Sequence, residues 1–227
     1  MGTGKASLSS GIFTIPQAAA LLGMKSTKLR SWVTGRRGAR EKPLIKSDFA
    51  PIGHHIAISF VNLIEAKFIE FFVRNGVPAR EIRRMAETAE RLLNTGHPFA
   101  TKAMFASDAA KIFLREQDRE TTLYDLLGNN YCLYPIFRDA LRKDLEFDAS
   151  GIAGLWRPRS AEAPNIVVNP RVAFGAPTLA KSGVPVEALY NAYVAEDRDA
   201  ATVAAWYEVP ESEVLEAVKF HESLTVH

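Results

Sequence analysis

The chain has 227 residues, 47% of them hydrophobic and 24% charged, with a net charge of +2. That balance belongs to a globular fold and excludes a disordered or highly charged chain. Cys132 is the only cysteine, which excludes an intrachain disulfide and a cysteine-based metal centre and fits a reducing, cytoplasmic setting.

The near-neutral total hides an asymmetry. Residues 1–50 carry nine Lys/Arg against two acids, a net of +7, whereas residues 160–227 carry ten acids against four bases, a net of −6. Opposite charge at the two ends implies different partners.

The opening MGTGKASLSSG is small and polar, without the apolar core of a signal peptide, and is expected to be a flexible arm. Ile12–Gly35 reads as two short helices joined by a tight turn. Thr14 and Gln17 have capping-box spacing, with Pro16 in the first turn. Ala18, Ala19, Leu21 and Leu22 form an apolar helix whose small residues admit a close neighbour. Gly23 suits the left-handed conformation at a helix end. Ser26 or its neighbour can cap the next helix, in which Leu29, Trp32 and Val33 recur on one face. Lys28, Arg30 and Ser31 fall on other faces. This is a helix-turn-helix outline, whose second helix enters the DNA major groove in proteins that use it. Arg30 is available to a phosphate or a base. Arg36, Arg37, Arg40, Lys42 and Lys46 follow among Gly35, Gly38 and Pro43, the composition of a basic wing on the phosphate backbone.

Next comes HHIAISF (His54–Phe60), a short strand or the lead-in to a helix. His54 and His55 are adjacent, so they point apart and do not share a metal. Phe60, Ile64, Phe68 and Phe71 lie on a helix to Arg74, widened by Val61, Leu63 and Phe72. A helix this apolar is a core helix with room for dimer contacts. Glu65, Lys67 and Glu70 make Ile56–Val73 too polar to span a bilayer. Asn75-Gly76 ends it, and Pro78 opens a helix through Leu93 with Ile82, Met85, Ala86, Ala89, Leu92 and Leu93 on its apolar face and Arg80, Arg83, Arg84 and Arg91 on its polar side.

Beyond the turn at Asn94–Pro98, Ala103–Phe105 and Lys111–Leu114 read as a hairpin about Ser107-Asp108. Short apolar pieces at Leu123–Leu127, Pro135–Leu141, Leu145–Phe147 and Ile152–Trp156 suggest a small mixed α/β region. Arg157–Pro164 (RPRSAEAP) has the composition of a linker. Asn165–Asn169 reads as a strand and Val172–Pro177 as a turn. Three helices are expected near Val186–Ala195, Ala200–Trp206 and Glu211–Ser223, two of them opened by Pro185 and Pro210.

The fold class is therefore mainly α with small β elements (α+β): an N-terminal winged helix-turn-helix plus a C-terminal three-helix domain. The divisions are 1–98, a DNA-binding domain; 99–158, a mixed α/β middle; and 159–227, a helical C-terminal domain.

With these residues in view, Ile12–Trp32 resembles the MerR-like helix-turn-helix of VapB-type antitoxins. The strings PRVAFGAPT, GVPVEAL and VPESEVLEAVKF within 165–224 are similar to a small C-terminal domain of unassigned function that often stands alone as an antitoxin. The resemblance implies a bacterial type II antitoxin that binds its operator, double-stranded DNA, as a homodimer, with Lys25, Ser26, Thr27, Lys28, Arg30 and Ser31 as its DNA-reading segment and Arg36–Lys46 as its wing. It also implies a toxin partner, typically a PIN-domain ribonuclease with a Mg²⁺-binding carboxylate site. The chain departs from MerR regulators in lacking a long dimerising coiled coil and a metal-sensing cysteine cluster.

There is no P-loop, GxGxxG, HExxH or GxSxG string. Glu116, Asp118 and Glu120 alternate as a solvated loop would. No catalytic residue, metal site or cofactor is assigned. The expected function is a DNA-binding antitoxin, the alternative a regulator without a toxin.

Overall fold

The computed structural model describes residues 10–35, 42–51, 53, 55–105 and 143–224. Among these residues lie seven α-helices and two small antiparallel sheets, an α+β fold. The chain divides into two compact units, each assembled from separated segments. The first comprises residues 1–29, 48–60 and 155–227, and the second residues 30–47 and 61–154.

In the first unit, β1 (Phe13–Thr14) pairs antiparallel with β2 (Ala57–Ile58), Phe13 opposite Ile58. The expected strand in HHIAISF is thus present. Helix α1 (Ile15–Leu22) begins with a complete capping box: the Gln17 N–H donates to Thr14 Oγ1 at 3.4 Å and the Thr14 N–H to Gln17 Oε1 at 3.0 Å. It ends at Gly23, whose φ of 62° lets its N–H reach the carbonyls of Ala19 and Ala20. Helix α2 (Ser26–Thr34) follows; its first turn belongs to this unit.

The sheet in this unit is a meander of the end of β4 (Ala153–Trp156), β5 (Ile166–Val168) and β6 (Pro177–Leu179). All three β5 residues are buried, as an uninterrupted Ile-Val-Val run in a middle strand requires. The segment 157–164 connects the neighbouring strands β4 and β5, and Ala163 within it is buried. Arg159 lies over the Phe220 ring at 5.5 Å. The stretch Val172–Pro177, expected to be rich in turns, holds a 3-10 turn at Ala173–Gly175 and then enters β6, a strand the sequence did not announce. Three residues between a proline and a Lys-Ser-Gly turn carry too little pattern to announce a strand. Pro177 is tolerated because β6 is at the sheet edge.

Helices α5 (Val186–Ala195), α6 (Ala200–Tyr207) and α7 (Glu211–Leu224) lie within a residue of the expected bounds. Asp199 caps α6 by accepting from the N–H groups of Ala201 and Thr202. Leu189, Val203, Val214, Ala217 and Phe220 supply the buried interior.

The second unit is centred on α3 (Phe60–Arg74), the core helix its composition implied. Leu63, Ile64, Ala66, Phe68, Ile69 and Phe72 have no exposed surface. Phe68 stacks on Phe99 with centroids 4.3 Å apart and on Phe72 at 4.8 Å. Buried Glu65 is held by Asn62 Nδ2 at 3.2 Å and His97 Nδ1 at 3.3 Å. Helix α4 (Ala79–Leu93) turns Ile82, Met85 and Ala89 inward, with Pro78 at its N-cap.

The expected extended run at Ala103–Phe105 is instead a 3-10 turn, Lys102–Phe105. Strand pairing stops one residue earlier, at the bridge between Thr101 and Ile152, and the Met104 N–H then closes back on the Thr101 carbonyl. The companion run Lys111–Leu114 and the pieces at 123–127 and 135–141 lie outside the described residues. Leu145–Phe147 forms β3. No described helix is long and apolar enough to cross a membrane.

Candidate nucleic-acid interface

The turn between α1 and α2 is short because Gly23 reverses the chain and the Met24 N–H returns to the Ala19 carbonyl at 3.0 Å. The Lys25 carbonyl accepts from the N–H groups of Lys28 and Leu29, so Lys25 precedes the helix and Ser26 is its first residue. Leu29, Trp32 and Val33 are buried, which fixes the rotation of α2 about its axis. Thr27, Arg30 and Thr34 are exposed and Ser31 half-buried, so the outward stripe runs at spacings of three and four. Lys25 is exposed at the start of α2, while Lys28 and Ser26 are half-buried. Thr34, absent from the expected contact segment, belongs to this stripe. Its hydroxyl donates to the Arg30 carbonyl at 3.0 Å.

In the second unit the chain beyond residue 41 returns to α2. The N–H groups of Leu44 and Ile45 both donate to the Trp32 carbonyl, at 2.8 and 3.1 Å. The Lys46 carbonyl accepts from Asn62 Nδ2 at 3.2 Å. Two backbone anchors therefore set exposed Lys46 beside the C-terminal half of α2, where Arg30 and Ser31 lie. Arg83 Nε donates to the Lys42 carbonyl at 2.8 Å, and Lys42 Nζ stands 3.5 Å from Glu87. Arg83 is thus a brace for the returning segment. Arg80 and Arg84 bridge to Glu81, so this part of the α4 row is internally paired.

Arg36, Arg37 and Arg40 lie outside the described residues, so their assignment to DNA rests on the sequence. His55 is exposed; His54 lies outside the described residues. Among the described residues no group of three or more His, Cys, Asp or Glu is placed to hold a metal ion. The chemistry available on this face is that of cations and hydroxyls on a rigid helix, able to neutralise phosphates and reach base edges.

Residues 166–221 match a family described as a protein of unknown function, DUF433. The match spans β5 to the last turn of α7 and leaves α1 and α2 outside it.

Among known proteins, the chain is 28% identical over 194 residues to one named "Putative antitoxin VapB45" from Mycobacterium tuberculosis, covering 77% of this chain and 79% of that protein. The crystal structure of Rv2018 from the same organism shares the fold with a TM-score of 0.71, at 22% identity, over 91% of this chain and 96% of that one.

Proposed function

We propose that this protein is a DNA-binding antitoxin of a type II toxin-antitoxin system, a dimer that represses its own operon and masks a PIN-domain ribonuclease. The antitoxin-named relative supports the coarser part of this reading, a toxin-antitoxin-related regulatory protein with no catalytic role of its own. The finer part is supported by one observation above the others. The inward face of α2 is buried, leaving Arg30 exposed on its outward stripe, and the backbone of Leu44 and Ile45 is bonded back against the same helix. A presented helix flanked by a basic segment is the geometry major-groove readers use.

The experiment is a mobility shift on the DNA upstream of the protein's own reading frame, at two salt concentrations, together with coexpression of the protein encoded next to it. A specific shift that weakens steeply with salt, and relief of growth arrest on coexpression, are expected. No shift on that DNA removes the repressor. No arrest, or arrest without relief, removes the antitoxin.

A further inference from the structure

We propose that a groove in the first unit is the docking site for a basic segment of a partner protein, which inserts an apolar side chain there. This rests on the antitoxin reading and names the surface through which a toxin would be held.

The groove has a volume of about 500 Å³. One wall is the outward side of α1, at Pro16, Gln17 and Ala20, and the others are the turn at 173–177, the start of α5 and the end of α7. That size and its mostly apolar lining suit one or two bulky side chains. Phe174 and Ile12 line it while staying 64% and 39% exposed. A large aromatic side chain left in water beside an apolar groove marks an interaction surface.

Phe174 is exposed at a cost. Ala173, Phe174 and Gly175 have φ of 46°, 54° and 90°, three successive residues in left-handed conformations, two of which are not glycine. Such backbone is unfavourable for residues with a Cβ and persists only where the surroundings hold it. Here the Phe174 carbonyl accepts from the Ile12 N–H at 2.9 Å, tying the two exposed apolar residues together. The strained backbone does not bury the Phe174 ring. It turns the ring outward.

Charge selects the occupant. Residues 160–227 carry a net of −6, and Glu187 lines the groove itself. DNA is repelled by that sign, and a second copy packed groove to groove would bring the same acidic surface against its like. A partner with lysines or arginines flanking an apolar anchor meets complementary charge.

The test uses the full chain and the protein encoded by the adjacent reading frame, with binding followed by calorimetry at two salt concentrations. Phe174→Asp is expected to weaken the complex at least about thirtyfold, as removal of a central anchor does. Glu187→Lys should weaken it and reduce its salt dependence, while Trp206→Asp, at an exposed aromatic that does not line the groove, leaves it unchanged. Should Phe174→Asp fail to fold, Ile12→Asp and Glu187→Lys carry the test. Tight wild-type binding that survives all three groove substitutions overturns the groove and leaves the antitoxin reading standing. No wild-type binding overturns both. Dissociation of a homodimer by Phe174→Asp, with the partner still bound, assigns the groove to a second copy and overturns the proposal.

Discussion

Gly175 lies against the ring of Phe13: a Cβ built on it would stand 2.8 Å from Phe13 Cζ and 3.2 Å from Cε2. Phe13 is buried and opens the two-residue strand that leads into α1, while Gly175 closes the turn before β6. Two stretches some 160 residues apart in sequence thus meet so closely that one partner admits no side chain. The glycine is required twice, for its φ of 90° and for this closeness.

Gly175→Ala is accordingly expected to destabilise the first unit by roughly 2–3 kcal/mol, combining left-handed strain with overpacking. Denaturant unfolding measures this. Adding Phe13→Leu removes the ring edge, so the double variant should lose less than the sum of the two single losses. Strict additivity would mean that the ring is not the source of the cost.

On the face proposed to read DNA, Arg30→Ala should weaken binding to the upstream DNA by about 1–3 kcal/mol if it reads a base, with little change on unrelated duplex. Replacing Arg36, Arg37 and Arg40 together should weaken binding to every sequence. It should also lower the slope of log K against log salt by about one for each phosphate no longer neutralised. Titrations on both duplexes separate the two effects. An Arg30→Ala protein that binds like wild type removes that residue from the site.

Glu65→Ala is expected to cost the second unit about 2–4 kcal/mol, because Asn62 and His97 are left facing a cavity where a carboxylate had been. Glu65→Gln, which keeps one acceptor, should cost less. Equal losses in thermal unfolding would show that the carboxylate's bonds contribute little beyond its volume.

Asp199 carries a pH signature. The hydroxyl of Thr202 and then its backbone N–H, with the Ala201 N–H, hold the Asp199 carboxyl below the usual carboxylate range. The cap's contribution is therefore present above the ordinary aspartate range and is lost as pH falls through the lower value of the folded state. Asp199→Asn keeps the capping geometry without the titration. Its unfolding temperature should vary less with acidification than that of wild type; identical acid profiles would count against the assignment.

What the amino-acid order determined by itself was local. The Thr14–Gln17 box, the reversal at Gly23, the apolar stripe of α2, the apolar surface of α3 and the three C-terminal helices all depend on residues within a few positions of one another. For such features the side-chain period and the capping group are the cause, and both can be read from a string of letters. The tertiary structure decided what long separation conceals: that residues 10–14 close on the turn at 173–177, that the backbone of Leu44 and Ile45 is bonded to Trp32, and that 157–164 joins paired strands. β6 and the exposed Phe174 were concealed for the same reason. A three-residue edge strand has no period of its own, and a phenylalanine reads as core until the backbone around it is seen to turn it outward.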